Sequence, residues 1–369
     1  MLLILAASLA LAATPDNSAE MGKKSLQYLA ELMGSSDAEV RSQTAAAWGE
    51  IGNSAAVPLL TKALKDPNPY VRIEAACSLH SLGNDAGFPV IEAIILASTG
   101  TTKPPTVKGK VKAPAGPGDE MRLFAQNKVR AAAIGRFADI GGVRAAEIFE
   151  KTIDDLAPVV RDATAIGLAR MGFDELDPVF IEMIKDKNEE VRAASAKALG
   201  QIGRPAAVTE LRQAAEDPSP SVRAEAVAAL GHYPDSGVLY TLTKALADKD
   251  RLVRANAVAA LGKVPGSAAK EALFTVLKDT AIPAFTLKVM AALALRGDAS
   301  VDLALVEKTL RQKDADSMLD AVIVLKNSKS DGALALLRQA FEDNHDPQVR
   351  LQAAVAIIKR MQKPQEKRR

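Results

Sequence analysis

A Val-Arg pair recurs at Val129, Val160, Val191, Val222 and Val253, with a constant interval of 31 between neighbours. Val40-Arg41 and Val71-Arg72 keep the same interval between them, and Val349-Arg350 closes the series. A period of this length is what stacked two-helix units produce, because one such unit cannot bury its apolar face alone and does so on its neighbours. The chain of 369 residues is therefore expected to form one elongated array rather than two or three globular domains.

Residues 186–216 show one unit. Val191 opens a stripe continued by Ser195, Leu199 and Ile202, after which Gly200 and Gly203 end the helix. Pro205 fits the first turn of the next helix, whose face is carried by Ala207, Val208 and Leu211. Ala226 and Ala257 stand where Ser195 does, and small residues around Ala47, Cys77 and Ala133 allow close helix crossings. Leu79, Leu168, Leu199, Leu230 and Leu261 follow a Val at a fixed offset of eight, with Trp48 and Phe137 at the same position, and predict a core layer. The pattern predicts an all-α fold, an α-α superhelix of about ten helix pairs spanning residues 25–361.

Five repeats place an Asp five positions before the Val and an Arg just after it: Asp66 and Arg72, Asp155 and Arg161, Asp186 and Arg192, Asp217 and Arg223, Asp248 and Arg254. A residue that recurs in every unit ordinarily maintains the unit. The expected arrangement is a structural ladder, each Asp capping the following helix turn and accepting from an Arg of its own or the next repeat. An anion-binding strip is the alternative.

The register breaks in two places. The step from Val71 to Val129 is one period plus 27, and the excess lies in residues 98–118, rich in Lys, Pro and Gly and without an acid before Asp119. Such a stretch is either a functional or a disordered loop, and Lys103, Lys108, Lys110 and Lys112 are candidate binding residues on it. After Val253 the pattern loosens: Leu287-Lys288 replaces Val-Arg, and the unit around Ser317 lacks the pair, as terminal repeats often do. Residues 362–369 form a short basic tail.

Residues 1–13 are apolar and end in small residues, followed by the polar Thr14–Ser18. At ~1.5 Å per residue they span roughly 20 Å, short of a ~30 Å hydrocarbon core, and read as a secretory signal cleaved near Ala12 or Ala13, with a linker over 14–24. The mature chain is thus expected to carry no membrane span and to be periplasmic or secreted. Cys77 is the single cysteine, so stability must come from packing rather than an intramolecular disulfide.

Lys plus Arg is 47 against 45 for Asp plus Glu, and aromatic residues are 4%. Neither a general field nor stacking platforms favour nucleic acid as a partner. His80, His232 and His345 fall in three repeats without a metal-ligand pattern, and no phosphate loop or Gly-x-Ser-x-Gly motif is present, so neither a catalytic group nor a cofactor is expected.

The segment from Ala56-Val57-Pro58-Leu59-Leu60 through Asp66 to Val71-Arg72 resembles the short HEAT-like repeats of phycobilisome lyases. That resemblance implies that the Val-Arg helix, the second of each pair, lines the concave side. Iron-binding HEAT-like hydroxylases use adjacent His-Glu pairs, which this chain lacks, since Ser81, Tyr233 and Asp346 follow its histidines. Two functions remain: a non-catalytic scaffold for protein partners, or an enzyme accessory or lyase-like module. On a helical wheel the tenth position after each Val points away from the packed side. It holds Glu50, Ser81, Asp139, Arg170, Gln201, His232 and Lys263, whose charges vary as a surface fitted to one partner would.

Overall fold

The structure, a computed structural model, describes residues 18–97, 117–173, 177–233, 236–279, 283–297, 302–312, 314–328 and 330–362. Among them are twenty α-helices in ten consecutive pairs and no strand. The first helices of the pairs are α1 (Ser18–Leu32), α3 (Val57–Ala63), α5 (Phe88–Ile95), α7 (Gly142–Glu150), α9 (Asp177–Met183), α11 (Val208–Ala214), α13 (Leu239–Ala245), α15 (Ser267–Asp279), α17 (Leu303–Leu310) and α19 (Asp331–Asp343). The second helices are α2 (Ala38–Ile51), α4 (Pro69–Ser81), α6 (Pro117–Ile140), α8 (Pro158–Arg170), α10 (Glu189–Ile202), α12 (Pro220–Leu230), α14 (Arg251–Lys263), α16 (Pro283–Leu295), α18 (Ala315–Asn327) and α20 (Pro347–Met361).

The described residues group into two compact units, one drawn from residues 27–173 and one from residues 18–26 and 177–362. In the first, α2, α4, α6 and α8 pack successively on one another; in the second, α10 to α20 do the same through their even-numbered members. Most of the odd-numbered helices lean mainly on their own pair, while α7 (Gly142–Glu150) packs equally on α6 and α8. The Val-Arg helices are therefore the densely packed layer of each unit.

Their close approach rests on the missing side chain of glycine. A Cβ added at Gly200 would lie 2.6 Å from the Ala229 Cβ, and one at Gly231 would lie 2.7 Å from the Ala260 Cα. These second helices thus seat a glycine against an alanine of the next. Gly52 and Gly203 end their helices in the left-handed region, at φ 72° and 73°, where their N–H groups close the last turn on Trp48 and Leu199 carbonyls.

Val40, Val71, Val160, Val222, Val253 and Val349 are buried, as are Leu79, Leu199, Leu230, Leu261, Trp48 and Phe137. Leu168 is only half-buried, and so are Val129 and Val191. Leu287, which replaces a Val where the register drifts, is buried like the residue it replaces. Two boundaries differ from expectation. Helix α1 starts at Ser18, inside the stretch read as a linker, because Met21, Leu26 and Leu29 give it an apolar face to bury. Helix α6 starts at Pro117, inside the span assigned to the insertion, since proline suits a first helical turn. The expected signal segment, the four candidate lysines Lys103, Lys108, Lys110 and Lys112, and residues 363–369 of the tail lie outside the described residues.

Candidate functional site

Arg41, Arg192 and Arg223, each just after a Val, tie their own helix to the loop before it and to the Asp of the next turn. Arg223 donates from Nε and Nη2 to the two carboxylate oxygens of Asp248 at 2.9 and 3.0 Å, while its Nη1 donates to the Asp217 and Pro218 carbonyls. Arg192 treats Asp217 in the same way at 2.8 and 2.9 Å, with Nη1 on the Asp186 and Lys187 carbonyls. Arg41 grips Asp66 at 2.8 Å twice, and Arg130 pairs with Asp155. Arg161 and Arg254 donate to the carbonyls of Asp155 and Asp248.

The ladder therefore differs in two ways from the one read off the repeat. The carboxylates of Asp66, Asp155, Asp217 and Asp248 accept from the Arg of the preceding repeat, at a sequence separation of 25, and the Arg of their own repeat takes the Asp carbonyl instead; the Asp186 carboxylate accepts from the Asn188 N–H and makes no bond with Arg161. Nor does the Asp side chain cap the helix. It accepts from the N–H two positions on, as Asp66 does from Asn68 and Asp248 from Asp250, and that residue is the cap of α4 or α14. Hydrogen bonds from Arg41 hold Asp66, and those from Arg223 hold Asp248, below the usual carboxylate range. In Asp155 and Asp217 burial pulls upward, but Arg130 and Arg192 win and both carboxyls end low.

Arg72 makes the loop half of this contact without the other half. Its Nη1 donates to the carbonyls of Asp66 at 2.7 Å and Pro67 at 3.1 Å. In the numbering, Asp stands 25 after Arg41, Arg130, Arg161, Arg192, Arg223 and Arg254; 25 after Arg72 stands Ala97, the last described residue before the insertion. This signal was present in the sequence and needed only the cross-repeat pairing to be seen. The guanidinium edge that holds Asp in Arg41, Arg192 and Arg223 makes no hydrogen bond in Arg72 among the described residues; Arg161 likewise keeps its Nη1 on its own loop and makes none with Asp186.

That edge opens into a groove of about 810 Å³. Leu64 and Pro69 border it on one side, Val90, Ile94 and Ala97 on another, and Ala125 and Val129 on a third. Arg72, Arg122 and Arg130 also line it, and among the described residues no Asp or Glu does. Its third wall exists because α6 begins at Pro117, three helical turns ahead of Val129, whereas α4, α8 and α12 begin just before their own Val. The insertion has thus replaced a ladder turn by extra helix. Phe124 occupies the place five before the Val, and Arg130 sends its Nε to the Ile95 carbonyl at 2.8 Å.

The second unit carries another groove, of about 670 Å³, on α14, α16 and α18. Leu252 and Leu295, each 59% exposed, line it with Lys263, Asp250 and Asp316. Within it Lys288 Nζ lies 2.8 Å from Asp320, whose carboxyl is pushed up by burial against the pull of that lysine.

Glu50, Ser81, Asp139, Arg170, Gln201, His232 and Lys263 are all exposed. Four of them meet one another across neighbouring repeats. Arg170 donates to Asp139, which also accepts from Arg136, and Lys263 Nζ lies 3.5 Å from His232 Nε2. Partial burial, aided by the Lys263 charge, holds His232 below the usual histidine range. Of this row, Lys263 alone lines either groove. His80 contacts Asp85 and the Phe88 ring, and burial pushes the Cys77 thiol up to about 12. Among the described residues no group of three or more His, Cys, Asp or Glu could hold a metal, and no helix is long and apolar enough to cross a membrane.

No curated protein matches the chain by sequence. Among solved structures, an engineered protein is 19% identical over 91% of this chain and 99% of its own, with a TM-score of 0.33. Human deoxyhypusine hydroxylase in complex with glycerol is 20% identical over 74% of this chain and 99% of its own, at TM-score 0.31. The CpcE–CpcF complex of phycocyanin lyase from Nostoc is 18% identical over 73% of this chain and 93% of that one, at 0.38. A family model described as HEAT repeats matches residues 26–102, 146–218 and 208–294, more than half of the length and most of the helix pairs described above. The chain belongs to the family of HEAT repeats.

Proposed function

We propose that this protein is an exported scaffold that binds a protein partner on the layer of its Val-Arg helices. The observation that carries this reading is the groove on α14, α16 and α18. Two large apolar side chains, Leu252 and Leu295, stand exposed there among charges of both signs. An apolar centre within a charged rim is the usual make-up of a protein interface, and water-exposed leucines on the packed layer cost free energy unless something covers them. Lys263, from the row chosen on the helical wheel, lies on the same rim. Export is supported by the apolar run of residues 1–13 ahead of a polar segment.

A photo-crosslinking amino acid placed at Leu252 or Leu295 in the native host should yield one adduct of defined mass. The same group at Tyr240, 71% exposed on a first helix, should yield none. Equal labelling from all three positions would remove the reading. Sequencing the N-terminus of the adduct-forming protein tests export separately, a start near Ala13 supporting it and an intact Met1 opposing it.

A further inference from the structure

We propose that the groove between α4, α5 and α6 receives a peptide segment of a partner protein, apolar but for one carboxylate, and that this carboxylate docks on the open edge of Arg72. The site is on a different unit from the groove on α14, α16 and α18 and does not depend on it.

Wherever the described residues bring Asp to an arginine of this series in the regular turns, the acid sits on Nε and Nη2 while Nη1 stays on a loop carbonyl. Arg72 keeps its Nη1 on Asp66 and Pro67, so its guanidinium is already oriented and half-desolvated. Little entropy remains to be lost when an acid arrives, which is what preorganisation contributes to binding. A planar fork held in place selects carboxylate geometry, since two parallel N–H donors match its two oxygens.

Charge then narrows the occupant. The groove is lined by three arginines and, among the described residues, no acid; Arg130 is matched by Asp155, Arg72 feels the charge of Asp66 but the oxygens of that carboxylate are bonded by Arg41, and Arg122 lies in the same lining. The chain cannot supply the missing group from the neighbouring insertion, because residues 98–116 hold four lysines and neither Asp nor Glu. Those lysines also oppose the insertion's own entry into an arginine-lined groove. The remaining wall is apolar, with Leu64, Val90, Ile94, Ala125 and Val129, so the segment beside the acid must be apolar as well. The chain itself contains such a segment before Asp248, where Ala245-Leu246-Ala247 runs straight into the acid. A partner that presents this pattern would complete the interrupted rung.

The test uses the full-length protein and a fluorescein-labelled, C-terminally amidated peptide of residues 239–248, whose one side-chain carboxylate is Asp248, with fluorescence anisotropy as the readout. Saturable binding is expected. It should weaken about tenfold or more when the peptide carries Asp248→Asn, and equally when the protein carries Arg72→Gln. Leu252→Glu in the protein should leave it unchanged, which separates failure here from failure of the other groove. Melting temperature shows that each variant is folded. Three results would overturn the proposal: no binding to the unaltered protein, undiminished binding to folded Arg72→Gln protein, or a gain of about tenfold when residues 98–116 are replaced by a short Gly-Ser linker, since that gain would make the insertion the occupant.

Discussion

Arg223 in the second unit and Arg72 in the first hold the same position in their repeats and the same hydrogen bonds to their own loops. They differ in what stands at the Asp position of the following turn. Arg223 meets Asp248, and the pair is nearly closed to water, the arginine side chain being 8% exposed and the aspartate 15%. Arg72 meets Ala97 and an open groove. A side chain that maintains the array at one rung becomes available for recognition at another, and the difference is made by a neighbour rather than by the residue itself. In this fold, function is to be sought where the repeat loses a partner, not where it keeps one.

Acid should separate the two regions most. Asp66, Asp155, Asp217 and Asp248 all have folded pKa values below the ordinary one. Their contributions are complete above the unfolded value near ~3.9 and are lost as pH falls through the folded values. Urea unfolding followed from pH 7 down to pH 2 should show stability falling steeply below about pH 4. Arg223→Ala should flatten that acid limb; Arg72→Ala should leave it nearly as it is, because it removes no carboxylate hydrogen bond. Equal flattening by both would erase the distinction.

At neutral pH the same two substitutions should differ in size. Arg223→Ala leaves Asp248 largely buried without its donor and should cost about 3 kcal/mol, whereas Arg72→Ala forfeits only its bonds to loop carbonyls and should cost about 1 kcal/mol. Comparable losses in chemical denaturation would mean that Arg72 has a structural partner after all.

Glycine gives a third contrast. Gly231→Ala drives a methyl group into Ala260 and should destabilise by about 1–3 kcal/mol. Gly135, in the helix lengthened by the insertion, has nothing within 4 Å of an added Cβ, so Gly135→Ala should stabilise by about 0.5–1 kcal/mol through helix propensity alone. Thermal melts of the two variants should move in opposite directions. Smallest of all should be the exposed pair: exchanging Asp139 and Arg170 for one another should change stability by less than about 1 kcal/mol, as surface ion pairs do.

The sequence showed the period, the ten helix pairs and most of the core, because an interval of 31 with Val, small residue and Leu at fixed offsets leaves few ways to bury them. It also marked Asp66, Asp155, Asp217 and Asp248 as ladder acids, but not Arg41 and Arg130, which hold the first two. It did not show who pairs with whom. Within a repeat the Asp precedes the Arg by less than two helical turns, and nothing in that spacing reveals that stacking brings the next repeat's turn alongside. Pairing from one repeat to the next is a property of the helix layer, and with it unseen, the absence of an acid at Ala97 carried no meaning. The wheel placed Asp139, Arg170, His232 and Lys263 on the surface, but not that neighbours one period apart would touch. The groove in the first unit was hidden for another reason. Its third wall is the added part of α6, and a stretch that runs from Gly116-Pro117-Gly118 into helix gives no periodic signal until the helix is under way.

The account turns on Arg72 being a rung without its acid, and the most direct measurement is to supply one. Ala97→Asp should raise the melting temperature and abolish peptide binding in the groove. It should do neither when Arg72→Gln is also present, so that a double-mutant cycle returns a favourable coupling of about 1 kcal/mol between the two positions. An Ala97→Asp effect of the same size and sign in both backgrounds would contradict it.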